Sequence, residues 1–324
     1  MGKARVVGLV GLTATFSILP PLRAQTPPAS PPTALLPSAA PPSGTLVFPD
    51  RDIELQTGLR TILNQSPYRR LIQERRLSVA LVDLSDPGVV RYAGVDDDHE
   101  RYAASLPKIG ILLGVFYQVD RGRMRYTPEL RRKLELMIRR SDNAISSEMI
   151  RLVGFQNIAD ALRDPRYQLY DPESRGGGLW VGRGYGNGVG LWRRDPIGNT
   201  SHGATARQVA RFLVMMDQKT LVSEWASTEM KSIMGNPQIN HKFVAGLSSR
   251  PGSRIFRKSG TWKEWHADAA LVERDGKKYV AVALAESPAG GTILSSLILR
   301  LDDLVVKGRT GARGVVEKDA PDRE

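Results

Sequence analysis

The chain has no cysteine among its 324 residues. Disulfides are therefore excluded, and the fold must rest on its hydrophobic core. The lack of cysteine also rules out a lipid-modified anchor and disfavours a zinc site. Histidine is scarce as well. His99, His202, His241 and His266 form no pair or triplet with Asp or Glu at metal-ligand spacing, so neither a metal nor a cofactor is expected. No long Lys/Arg run interleaves with aromatics, which argues against nucleic acid as a partner despite a net charge of +12. A basic surface instead suits an anionic partner, such as cell-wall polymer or lipid headgroups. No internal repeat is visible. The N-terminal apolar stretch, Val6 to Leu19, is short for a spanning helix.

What remains is ordinary globular material, 41% hydrophobic and 25% charged, with enough length for a sizeable core. Lys3 and Arg5 precede the apolar stretch and Leu22-Arg23-Ala24 follows it, so residues 1–24 read as a secretory signal peptide. A periplasmic or secreted destination is expected, with membrane contact only if this segment stays uncleaved. Residues 25–51, rich in Pro and Ala, read as a disordered linker.

From Asp52 the pattern turns helical, with Ile53, Leu55, Leu59, Ile62 and Leu63 at near-helical spacing behind an Asp cap. Leu77 to Leu84 and Val89 to Ala93 read as strands around an Asp86-Pro87-Gly88 turn. Helical runs are expected over 109–119, over 128–153 as two helices, and over 157–163, 205–216 and 224–234. Strands are expected at 255–258, 267–273 and 279–285, the last two joined as a hairpin by Arg274-Asp275-Gly276-Lys277. A closing helix is expected over 293–306. Strands near both ends with helices between them imply an α+β fold. Its α/β part is expected at 52–98 and 205–307, its helical lobe at 99–204 and a polar tail at 308–324.

Three short boxes carry the chemistry: Ser105-Leu-Pro-Lys108, Ser141-Asp142-Asn143 and Lys258-Ser259-Gly260. At i and i+3 of a helix, Ser105 and Lys108 share a face, so the amine can take or steer the proton of a hydroxyl that is otherwise a weak nucleophile. Pro107 suits a first helical turn and places Ser105 at a helix N-terminus. The second box offers a hydroxyl to relay a proton and an amide to hold a substrate amide. The third offers a cation followed by small residues, suited to a strand edge that backbone and a substrate carboxylate approach closely. Each box alone is weak; their conjunction and order are the signal.

In that conjunction the sequence resembles the serine β-lactamases and penicillin-binding D,D-peptidases, whose motifs are S-x-x-K, S-D-N and K-T-G. The S-D-N form is similar to the class A β-lactamase branch. The resemblance, covering roughly residues 52–306, implies a three-layer αβα arrangement: an antiparallel five-stranded sheet flanked by helices, plus an all-α lobe. It implies Ser105 as the acylated nucleophile, Lys108 as its proton partner and Ser141 as a proton shuttle. It further implies Asn143 on the substrate's side-chain amide, Lys258, Ser259 and Gly260 at the substrate carboxylate, and an oxyanion hole from the backbone N–H groups of Ser105 and Thr261. A monomer acting on a β-lactam or a peptidoglycan-derived peptide is expected.

Two departures matter. The interval between Ser105 and Ser141 is shorter than is usual in class A enzymes, so part of the lobe's front wall, with its aromatic gate, would be missing. The Glu-x-x-Leu-Asn box that supplies the deacylating base is also absent. Asp171 and Glu173 are the nearest carboxylates to its expected place, as possible accessories or as solvated loop charges. His266, close after the third box, reads as either a rim base or a packed strand-edge histidine. Ser201-His202 reads as a helix cap. Trp180, Tyr185 and Trp192, in a glycine-crowded stretch, either stack on a substrate or pin the loop to the body. The alternatives to a β-lactamase are a D,D-peptidase or esterase with slow deacylation, and a penicillin-binding sensor without turnover.

Overall fold

The computed structural model describes residues 1–2, 48–173, 176–187 and 189–308. The expected signal peptide and polar tail, and most of the expected linker, lie outside the described residues. The described part of that linker is ordered against the domain: the Phe48 ring meets Tyr92 edge-on at 4.5 Å, and Arg51 bridges to Tyr92.

In chain order the elements begin with α1 (Ile53–Leu63), α2 (Tyr68–Gln73), β1 (Leu77–Asp83), β2 (Arg91–Val95) and β3 (Arg101–Tyr102). The helical lobe follows with α3 (Lys108–Asp120), α4 (Pro128–Arg139), α5 (Asn143–Val153) and α6 (Phe155–Arg163). Three very short strands, β4 (Tyr170–Asp171), β5 (Gly177–Gly178) and β6 (Gly203–Ala204), then lead to α7 (Ala206–Asp217), α8 (Glu224–Met234) and α9 (Phe243–Leu247). The chain closes with β7 (Arg254–Trp262), β8 (Trp265–Arg274), β9 (Lys277–Glu286) and α10 (Gly290–Val306). The long strands form one antiparallel sheet in the order β2-β1-β9-β8-β7, which puts β7 at an edge.

Local chemistry accounts for the elements. Asp52, Thr127, Asp142, Thr205 and Ser223 each cap a helix by accepting a backbone N–H from the first turn, which satisfies a donor the helix cannot. Leu55, Leu59 and Leu63 line the buried face of α1. Every residue of α3 from Lys108 to Gln118 is buried, as an all-round apolar helix must be.

Strand alternation then splits the core in two. Val280, Val282, Leu284, Ala267 and Ala269 face α7 and the helical lobe, whereas Tyr279, Ala281, Ala283 and Ala270 face α1, α9 and α10. Helices thus cover both faces of the sheet, with the all-α lobe beside it. This is the expected α+β arrangement.

The candidate active site

Ser105 lies on the turn that joins β3 to α3. Leu106 N–H donates to Ala103 O at 3.0 Å, Lys108 N–H to Ser105 O at 3.3 Å and Gly110 N–H to Pro107 O at 2.8 Å. These are i to i+3 bonds, tighter than an α-helix. Ala104, just before the serine, takes a left-handed φ of 50°. The helix proper starts at Lys108, one turn after Ser105. Ser105 is half-buried and Lys108 fully so.

Lys108 Nζ reaches the second box. It donates to Ser141 O at 2.6 Å and to Asn143 Oδ1 at 2.7 Å, with Ser141 Oγ at 3.3 Å and Asp142 O at 3.4 Å. Ser141 has a φ of 57°, an uncommon conformation for a side-chain-bearing residue, and this turns its carbonyl onto the lysine. Asp142 caps α5 through Ile145 N–H at 2.8 Å. Burial holds the Lys108 ammonium down at about 7, against a smaller opposing pull from Asp142. A neutral amine has two N–H donors, which match the two short acceptors and leave one lone pair free.

The third box meets the same hydroxyl from the sheet. Lys258 Nζ donates to Ser141 Oγ at 2.9 Å and to Ser259 O at 2.6 Å. Burial first, and then the neighbouring Lys108 and Arg257 cations, push its ammonium well below the ordinary lysine range. Lys258 and Gly260 pair with Ala269 and Ala267, so they face the lobe. At Gly260 an added Cβ would lie 2.1 Å from Ala103 O and 2.8 Å from Ser105 N. Only glycine lets the edge strand close on the turn that carries the serine.

Ser259 and Thr261 alternate to the other face, where their register partners are Asp268 and His266. A residue missed by sequence reasoning supports them there. The buried Lys242, at φ 53°, donates to Gly260 O at 2.5 Å, Thr261 Oγ1 at 2.8 Å and Ala267 O at 3.1 Å. Burial lowers its ammonium to about 8.

The three accessory candidates make other contacts. His266 packs on the start of α10, where a Cβ at Gly290 would lie 2.6 Å from its ring. Asp171 and Glu173 line a surface hollow with Arg163, Pro165, Gln168 and Tyr170, and none of Ser105, Lys108 and Ser141 lines it. Glu173 is exposed.

The loop residue that reaches Lys108 is aromatic. The buried Tyr185 ring lies 4.5 Å from Lys108 Nζ, and the His202 ring packs on it at 4.3 Å. Trp180 and Trp192 stack on each other at 5.8 Å, and Trp192 stacks on Phe155 of α6 at 5.4 Å. These aromatics therefore pin the loop to the lobe. His202 is likewise a packed ring rather than a simple cap. The stretch between α3 and α4 carries Tyr126, whose ring packs on Phe116 and Trp225. Among the described residues no cluster of His, Asp or Glu could hold a metal, and no helix is long and apolar enough to cross a membrane.

The sequence profile described as the β-lactamase enzyme family matches residues 59–307. A search of curated proteins finds no match. Among solved structures, a β-lactamase from Sphaerobacter thermophilus superposes with a TM-score of 0.60 at 16% identity, covering 77% of this chain and 97% of its own. A class A β-lactamase from Bacteroides cellulosilyticus gives 0.57 at 15% identity, with 79% and 100% covered. A mutant of PBP-A, solved as an acyl-enzyme complex with penicillin G, gives 0.57 at 22% identity, with 78% and 95% covered. At these identities the likeness is one of fold.

Proposed function

The chain belongs to the β-lactamase enzyme family, and on that premise we propose that it is an exported serine hydrolase that opens β-lactams through an acyl-enzyme on Ser105. One observation carries this reading. The Ser141 hydroxyl is held between two buried lysine amines, Lys108 at 3.3 Å and Lys258 at 2.9 Å, and the half-buried Ser105 lies on the turn where its own carbonyl accepts Lys108 N–H.

Ser105 Oγ attacks the carbonyl carbon and gives its proton to neutral Lys108. The backbone N–H groups of Ser105 and Thr261 hold the oxyanion, and preorganised donors of this kind are typically worth several kcal/mol. When the C–N bond breaks, the leaving nitrogen takes the Ser141 proton, which Lys108 restores. Lys258 holds the substrate carboxylate, and Asn143 its side-chain amide. Ser259, on the opposite face of the strand, contributes through its carbonyl on Lys258. Water then cleaves the ester and regenerates Ser105.

The second reading is a D,D-peptidase or related enzyme acting on peptidoglycan-derived peptide, with slow release of the acyl group. It is favoured because the loop sets Tyr185 against Lys108 and keeps Asp171 and Glu173 in a separate hollow.

Incubation with a chromogenic cephalosporin, following colour and intact mass, separates the readings. Rapid turnover supports the β-lactamase and a persistent adduct the peptidase. Ser105→Ala should abolish either signal. A wild type that gives no turnover and forms no adduct would refute the proposal. Export is tested by fractionating the host cell, with the processed chain expected outside the cytoplasm.

A further inference from the structure

Tyr185 touches both halves of the acylation machinery. Its ring face lies 4.5 Å from Lys108 Nζ, and its hydroxyl donates to Ala104 O at 3.3 Å. Ala104 C=O and Ser105 N–H are the two ends of one peptide group, and that N–H is one of the two oxyanion donors in the proposed reaction. The group follows an alanine at φ 50°, a conformation that needs outside support.

Tyr185 is itself held firmly. The fully buried Ser147 donates its hydroxyl to Tyr185 O at 2.7 Å and accepts Tyr185 N–H at 2.9 Å. Behind the ring, His202 Nε2 lies 3.0 Å from Arg183 O and Nδ1 lies 3.0 Å from Ser201 Oγ. A carbonyl only accepts, so Nε2 carries the proton and Nδ1 accepts from the serine hydroxyl. Burial favours the same neutral imidazole, holding its protonation down at about 4. The titratable and charged groups facing Lys108 are thus Asp142 at the head of α5, Lys258 on β7, and Tyr185 backed by His202 in the loop.

We propose that Tyr185 is a positioning residue of the acylation step. Its hydroxyl aligns and polarises the Ala104–Ser105 peptide for the oxyanion, and its ring seats Lys108 against Ser141 while excluding water from that side. A hydrogen bond to one end of a peptide strengthens the bond made at the other. An aromatic face holds an ammonium without offering it a base. The inference rests on Ser105 being acylated, and its test has an arm that does not.

Single-turnover acylation by a cephalosporin is followed by intact mass from pH 5 to 9 in wild type, Y185F and Y185L. Y185F keeps the ring and should acylate about 10-fold more slowly with an unmoved acid limb, the loss of one strengthened hydrogen bond. Y185L admits water to Lys108, relieves the burial that keeps its amine neutral, and should move the acid limb up by roughly half a pH unit or more. Nuclear magnetic resonance of lysine-labelled protein follows the Lys108 titration in the same variants without any substrate, and should show the same upward move. Circular dichroism checks the fold, and Y185M replaces Y185L if the latter unfolds. Y185F acylating at the wild-type rate overturns the hydroxyl's role. A Lys108 titration unchanged when the ring is removed overturns the ring's role. A wild type that forms no adduct refutes acylation of Ser105, and with it the oxyanion role of the hydroxyl, while the titration still decides what the ring does.

Discussion

Replacing Glu100 by glutamine should remove a pH dependence from the stability of this fold. Glu100, just before β3, is 8% exposed. Its Oε2 accepts Gly178 N–H at 3.2 Å, whereas its Oε1 has no donor among the described residues. A point built at Gly198 Cβ lies 3.4 Å from Asp195 Oδ2 and 3.5 Å from Glu100 Oε1, so the two carboxyl groups are neighbours. Asp195 is already engaged as an acceptor by the Tyr170 hydroxyl and by the N–H groups of Ile197 and Gly198. Glu100 is therefore the partner that keeps a proton, and donating it to Asp195 satisfies the orphan oxygen. Burial first, and then Asp195, raise its carboxyl from 4.5 to about 9.

Between those values the folded chain holds a proton that the unfolded chain has released, so stability falls as pH rises through the window. At pH 7, about 2.5 units above the unfolded value, this costs roughly 3 kcal/mol relative to acid conditions. A glutamine side chain in this place would keep the shape and donate to Asp195 with no proton uptake. Urea unfolding of wild type and Glu100→Gln at several values between pH 5 and 8 measures the difference. The wild type should lose stability relative to the variant as pH rises, by about 1.4 kcal/mol per unit. Parallel curves would refute a shared proton at this pair.

Two further substitutions test the architecture around the serine. Gly260→Ala puts a methyl group 2.1 Å from Ala103 O, and the edge strand must retreat. Because a displacement near 1 Å can cost about 100-fold in rate, acylation measured by intact mass should fall by that order, and a near-wild-type rate would contradict the close approach of β7. Asp268→Ala leaves Arg257, 3% exposed and paired at 2.7 Å, without its counter-charge. The loss should be about 3–5 kcal/mol, read as a melting temperature lower by roughly 10 °C; a shift under about 2 °C would count against the buried pair.

Much of the scaffold was legible because it depends on local chemistry. The caps at Asp52 and Thr205 and the apolar spacing behind them mark α1 and α7, which start where expected. Strand ends were less legible. The reading of 255–258 as a strand stops short because Ser259-Gly260-Thr261 has little branched character and no alternation, whereas pairing with β8 carries β7 to Trp262. The five-residue α9 is too short to show a period, and α2 barely completes a turn and a half.

At the site, the three boxes announce themselves by order and spacing, but the groups that support them do not. Lys242 serves the third box from before α9, and Tyr185 serves the first box from a glycine-crowded loop. Both contacts join distant parts of the chain, and no residue pattern links their ends. Proximity along the sequence pointed to Asp171, Glu173 and His266, and each was turned elsewhere by a feature that spacing cannot carry. Strand alternation sends His266 toward α10, and the pairing of β4 with β5 holds Asp171 in its own small hairpin. A usable signal for Tyr185 was its setting, since an aromatic inside a run of glycines must be packed or solvent-stranded.

The supporting groups also explain how so many cations share one edge of the sheet. Lys108, Lys242, Lys258 and Arg257 are all buried around β7. Asp268 is engaged by Arg257 through both oxygens, and Asp142 by the N-terminus of α5. The three lysines therefore have to be solvated by carbonyls, those of Ser141, Ser259, Gly260 and Ala267. Left-handed backbone at Ser141 and Lys242 belongs to that arrangement, because it turns a carbonyl or an amine inward that an ordinary conformation would point away. Carbonyl dipoles offset only part of the cost of burying an ammonium, and so the Lys108 and Lys242 amines sit near 7 and 8. The same deficit of negative charge favours an anionic ligand. A substrate carboxylate beside Lys258 would supply the missing counter-charge and raise the lysines' affinity for protons. On the proposed function, binding of the substrate and protonation of the cleft are therefore coupled: the ligand that needs a neutral Lys108 for acylation also pulls it toward its charged form. An aromatic neighbour in place of a carboxylate keeps a further negative charge from adding to that pull, and this gives a physical reason for Tyr185 to stand where it does.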